Sequence, residues 1–166
     1  MKEILNGLNS VLYSQLECVA GLLELARQEA VALQDNDIHE LSTVCGGMSE
    51  AAANLTELEE ARLEIHGELT RRLDLPEEAT LRAVLDRLTE GGVMYSGEIY
   101  QTADSLSSAY RSLMEQNRIN KMLVRQSISY VRAFFEFLGP ERKLTYAEGG
   151  VLRKGAGFSS IVDRTV

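Results

Sequence analysis

Two histidines, two cysteines and a scatter of serines are the side chains of this 166-residue chain that could hold a metal or attack a bond. His39 and His66 fall in one helical stretch, too far apart to share a site without help from a second element. A dinuclear metal site in a helical bundle draws a Glu-x-x-His from each of two helices. The residue three before His66 is Leu63, and the one three before His39 is Asn36. A phosphotransfer role for His66, followed by Gly67, would want a lysine nearby to receive the phosphate charge, and the segment offers none. Cys18 and Cys45 lack Cys-x-x-Cys spacing and lie within apolar helical patterns, which suits reduced packing residues. No glycine-rich phosphate loop follows a strand, and no serine sits in a nucleophile elbow. These residues predict a protein that catalyses no reaction and takes no cofactor or metal.

Two polar pairings are more informative. Asn117 and Asn120 fall on the apolar seam of the last helical segment, between Leu113 and Val124. There they either pair their amides across a bundle and fix its register, or mark a place where the seam opens to a partner. Arg111, Arg118, Arg125 and Arg132 recur every seven residues beside that seam, as Glu50, Glu57 and Glu64 do in the second segment. Such stripes read as solvated flanks that guide helix pairing, with partner binding by the arginines as the alternative.

The elements that must position these residues are helices, because apolar residues alternate at steps of three and four through most of the chain. The first helix is expected over about 2–33, on the seam Leu5, Leu12, Leu16, Val19, Leu23, Ala26, Ala30 and Leu33, with Asn9 as its polar member. Gln34-Asp35-Asn36-Asp37 breaks the pattern, and Asp37 with Glu40 has the form of a capping box for the next helix. That second helix, about 38–73, carries Leu41, Val44, Met48, Ala51, Leu55, Leu58, Arg62, Ile65 and Leu69. Gly46-Gly47 inside it costs about 2 kcal/mol of helix propensity relative to alanine, so a kink or a break is at issue there. Pro76-Glu77-Glu78 reads as the opening turn of a short helix, about 77–89, closed by Gly91-Gly92. The last helix, about 94–138, steps by four and three without a slip through Ile99, Ala103, Leu106, Tyr110, Leu113, Asn117, Asn120, Val124, Ser127, Val131, Phe134 and Leu138. A helix of this length cannot bury its stripe alone. The fold class is therefore all-α: an elongated, mostly antiparallel helical bundle with three long helices, one short helix and an irregular tail.

Gly139-Pro140 ends the bundle domain, 1–138, and a tail, 139–166, follows. The tail has lost helical period yet keeps Leu144, Tyr146, Val151, Leu152, Phe158, Ile161 and Val162, too apolar for an inert linker, so it is expected to order against another surface.

The net charge of −8 is uneven: residues 1–138 hold 12 Lys/Arg against 22 Asp/Glu, and residues 139–166 hold 5 against 3. An acidic body argues against nucleic acid as a partner. No stretch reaches the roughly 20 apolar residues of a membrane helix, and Met1-Lys2-Glu3-Ile4 reads as a first helical turn with no secretory leader. The expected setting is the cytoplasm.

Several short motifs, in order, resemble one family. Leu22-Leu23 with Glu29, Leu33, Asp37 and Leu41 is similar to the first hairpin of FlgN proteins. Leu58-Glu59-Glu60-Ala61-Arg62 resembles their Leu-Glu-x-x-Arg segment, and Thr80-Leu81-Arg82-Ala83-Val84-Leu85 their short third helix. Asn117-Arg118-Ile119-Asn120-Lys121-Met122-Leu123, continuing to Ser127-Ile128-Ser129-Tyr130, resembles the Asn-x-x-Asn-x-x-Leu run of their last helix, and Thr145-Tyr146 their tail. Gly46-Gly47 stands where a lysine is common in the family, a departure that bears on local helix geometry.

The resemblance implies a flagellar type III export chaperone that binds hook–filament junction proteins (FlgK and FlgL), covers their terminal helices and presents them to the export gate. It implies a docking role for Tyr146 at that gate, set against simple packing of its ring on the bundle. Partner contacts are expected at Asn117, Asn120, Val124, Ile128, Val131 and Phe135 of the last helix, and at Leu144, Tyr146, Val151, Leu152, Phe158 and Ile161 of the tail. A self-associating structural or signalling coiled-coil module is the competing reading, and a homo-oligomer when no client is bound is compatible with both.

Overall fold

The computed structural model describes residues 1–92 and 96–138. Four helices carry them: α1 (Lys2–Asp35), α2 (Ile38–Arg72), α3 (Leu81–Glu90) and α4 (Ser96–Phe137). The chain divides into two compact units, Met1–Arg125 and Gln126–Val166.

In the first unit α1 and α2 form an antiparallel hairpin with a very short turn. Asn36 ends α1 in the left-handed region (φ 56°), a conformation asparagine tolerates better than most residues, and its N–H bonds the Ala32 carbonyl. Asp37 then caps α2 at once, its carboxylate accepting from the Glu40 N–H at 3.0 Å. Pairing along the hairpin runs from Gln15–Glu59 (2.9 Å) to a Cys18 thiol that donates to the Ala51 carbonyl. Gly46-Gly47 leaves α2 unbroken. Gly47 lies against the Leu25 side chain, whereas a Cβ at Gly46 would meet open space.

The segment between α2 and α3 departs from the expected early helix start. Pro76 to Ala79 closes as a turn, with the Ala79 N–H on the Pro76 carbonyl at 2.9 Å, and helix begins only at Leu81. Thr80 explains the delay: it is extended (φ −69°, ψ 156°) and its hydroxyl accepts from the Ala83 N–H, so it outcompetes the proline as the helix start. His66 pins this turn by donating from Nε2 to the Ala79 carbonyl at 2.8 Å. The short α3 buries Val84, Leu85 and Leu88.

α4 returns parallel to α1. Thr102 bonds Asn9, and Asn120 bonds Ala26. The core lies between them and α3: Leu5, Leu8, Leu12, Val19, Leu22 and Ala26 from α1 meet Ile99, Leu106 and Leu113 from α4, with Leu69 and the α3 trio closing one end. The most buried line on α1 thus includes Leu8, Gln15 and Leu22, while Leu16 and Leu23 of the expected seam are half-buried. α1 borders two helices, so both flanks of its apolar line are used.

In the second unit the described residues, 126–138, are the last turns of α4, and every one except Ser127 is exposed.

Candidate functional site

The first unit holds a cleft of about 490 Å³ with Leu12, Leu81 and Leu106 among its apolar lining, beside Gln15, Glu59, Arg62, Tyr110 and Arg111. Gln15 is 1% exposed. Its amide nitrogen donates to Glu59 Oε2 at 2.9 Å, and Arg62 grips the same carboxylate with two bonds of 2.7 and 2.6 Å. The carboxylate can only accept, so the Gln15 amide must turn its nitrogen there, and its Oε1 is buried with no donor. The Arg62 bonds hold Glu59 below the ordinary carboxylate range and, reciprocally, raise Arg62. Burial, with Glu59 behind it, pushes the Tyr110 phenol up. The cluster is a polar tie between α1 and α2, centred on a carboxylate whose ionised form the Arg62 guanidinium favours. Arg62 holds a seam position in the spacing of α2, whereas Gln15, a polar residue among apolar ones, completes the line Leu5, Leu8, Leu12, Val19, Leu22 and shows its place only once α1 is packed.

Burial also raises the Cys18 thiol, which keeps it protonated and unreactive. His39 is exposed near the start of α2. Among the described residues no group of three or more His, Cys, Asp and Glu is placed to hold a metal ion.

The two asparagines separate. Asn120 is 3% exposed; its amide donates to the Ala26 carbonyl at 2.7 Å and to Glu29 at 2.6 Å, and its carbonyl accepts from Gln116 at 2.9 Å. Asn117, three residues earlier, is exposed, and Val124 is 37% exposed. Of the arginine stripe, Arg118 pairs with Glu115 of its own helix at 2.7 Å, and Arg111 bonds Ser107 and Ser108 of its own helix.

The described part of the second unit presents a different surface. Ile128, Tyr130, Val131, Phe134, Phe135, Phe137 and Leu138 are all exposed, Phe134 by 60% and Phe137 by 85%. At about 100° per residue they fill an arc of about 180°, with Arg132 and Glu136 on the opposite side. Phe134 and Phe135 meet edge to face, 6.2 Å between ring centres. An apolar stripe on a surface helix is commonly a little over 100° wide and faces a core, so this one is wide for its class and open to solvent. Ile128, Val131 and Phe135 of the expected contact set lie on it. Leu144, Tyr146, Val151, Leu152, Phe158 and Ile161 lie outside the described residues.

No described helix is long and apolar enough to cross a membrane. Searches of curated proteins and of solved structures return no match. The family model described as FlgN protein matches residues 1–154, which span the hairpin, the short helix, α4 with its open apolar arc, and most of the tail. The chain therefore belongs to the FlgN family, and with it to the flagellar export chaperones.

Proposed function

We propose that this protein works in the cytoplasm as the chaperone of hook–filament junction proteins of the FlgK and FlgL kind. It covers an amphipathic terminal helix of the client until export and hands the client to the export gate. The observation that carries the reading is the exposed apolar arc from Ile128 to Leu138. A contiguous patch of this kind on a chain with net charge −8 calls for a partner surface, and an amphipathic helix laid along it is the matching shape. Val124 and Asn117, both exposed, are assigned to the same partner-binding stretch of α4, and the apolar tail residues to a cover that orders over the client or yields to it; Asn120, expected in that stretch too, is buried against α1 and holds it in place. Tyr146 is assigned to the gate. No step in this scheme needs a cofactor or breaks a bond.

The test is co-purification with a junction protein. The wild-type chain should retain the client, and the double variant Phe134→Ser/Phe135→Ser should lose it while keeping its helical circular dichroism and melting temperature. Retention by the double variant, or failure of the wild type to bind any junction protein, refutes the assignment. A self-associating module would instead give a light-scattering mass that climbs with concentration and falls in the same double variant.

A further inference from the structure

The core of the first unit thins along its length. At one end α1 supplies Leu5, Leu8 and Leu12, and α4 supplies Ile99 and Leu106. Toward the other end the buried positions of α1 shrink to Ala26, Ala30 and Ala32, and α4, one heptad past Leu113, places Asn120. The continuous apolar cluster stops at Ala26 and Leu113. Beyond that point the described tie between α1 and α4 is polar: Asn120 to the Ala26 carbonyl and to Glu29, backed by Gln116. Its neighbours Asn117 and Lys121 are exposed, and Val124 is partly so.

We infer that Asn120 is a latch for a local opening, in which residues 117–125 of α4 undock from α1 while the leucine-rich remainder of the unit stays closed. The reason is the different cost of exposing the two kinds of layer. A leucine pair that parts loses its burial outright. A carboxamide that parts exchanges its protein hydrogen bonds for bonds to water at small net cost. Small side chains on the α1 face add little to hold the segment down. Regions of few apolar contacts are where sub-global opening occurs. Ala30 lies on the same seven-residue line of α1 as Asn9, which faces Thr102 of α4, so undocking uncovers it. An alanine-lined strip would then be free for an incoming helix. That consequence rests on the chaperone reading; the opening does not.

The experiment therefore uses the full chain without client. In a Cys45→Ser background, Ala30→Cys reports undocking through its rate of thiol labelling, and backbone hydrogen exchange is followed over residues 121–125 and 106–113. Asn120→Ala should speed labelling at position 30 and exchange over 121–125 at least 10-fold, leaving 106–113 unchanged. Asn120→Leu, which turns the layer apolar, should slow both at least 10-fold. Glu29→Ala, a change at a half-exposed position that removes one acceptor, should speed both by about 3-fold. Labelling at position 30 that is indifferent to residue 120, or changes spread equally over 106–113, would overturn the latch. Neither result bears on client binding.

Discussion

Gln15 occupies a core position with one half of its amide unsatisfied, a situation that costs about 1–3 kcal/mol for the orphaned group. Leucine has nearly its volume and no such group, so Gln15→Leu is expected to raise stability by about 1 kcal/mol, seen as a higher urea midpoint at unchanged slope. The cost of the polar tie is offset by register: Gln15 of α1 needs the Glu59 carboxylate of α2, and a slip along the hairpin would strand it. The same carboxylate makes stability depend on pH. Its folded pKa is depressed, chiefly by the Arg62 hydrogen bonds, so its contribution is full above the unfolded value of about 4.5 and is lost as pH falls through the lower folded value. Glu59→Gln should remove that acid-side component, so that the difference in thermal midpoint between wild type and variant shrinks as pH drops from 6 toward 3. A constant difference over that range would count against the Arg62–Glu59 pairing.

Among the elements, α2 tolerates its paired glycines without a break because neighbouring seam residues stay in phase and Leu25 packs on Gly47. At Gly46 nothing uses the missing side chain, so Gly46→Ala should stabilise the protein by about 1 kcal/mol in chemical denaturation. The short α3 has the opposite dependence. With ten residues it is far below the length that sustains a helix alone, and it relies on the Thr80 cap and on burial of Val84, Leu85 and Leu88. Thr80→Ala should cost about 1 kcal/mol and weaken far-ultraviolet ellipticity only slightly.

For the molecule as a whole, the division of labour follows from where apolar surface is used up. Residues 1–125 bury leucines from all four helices against one another. The described residues after them carry seven large apolar side chains in the open. A chain truncated after Leu138 should therefore keep the thermal midpoint of the bundle, since the core lies well before that point, while binding a junction protein more weakly if the tail serves as cover. An unfolded truncation product would show instead that the tail belongs to the bundle's own stability.

Much of this was fixed by local patterning. Steps of three and four set four helices, Asn36-Asp37 set the hairpin turn, and the run of Ile128, Val131, Phe134 and Phe135 showed an apolar face continuing to Leu138, because side-chain period and capping chemistry act within a few residues along the chain. Asn120 was legible as a polar member of the seam, as was Arg62. Tertiary structure decided what each of them faces. The pairing of Gln15 with Glu59, the burial of Asn120 against Ala26 while Asn117 stays in water, and the choice of Thr80 over Pro76 as the start of α3 depend on neighbours brought from distant sequence or on competition between two adequate signals. A helix with apolar residues on two flanks does not reveal which flank each partner will take. The exposure of the aromatic end of α4 was likewise settled in space, since a period marks a face but cannot say whether anything covers it.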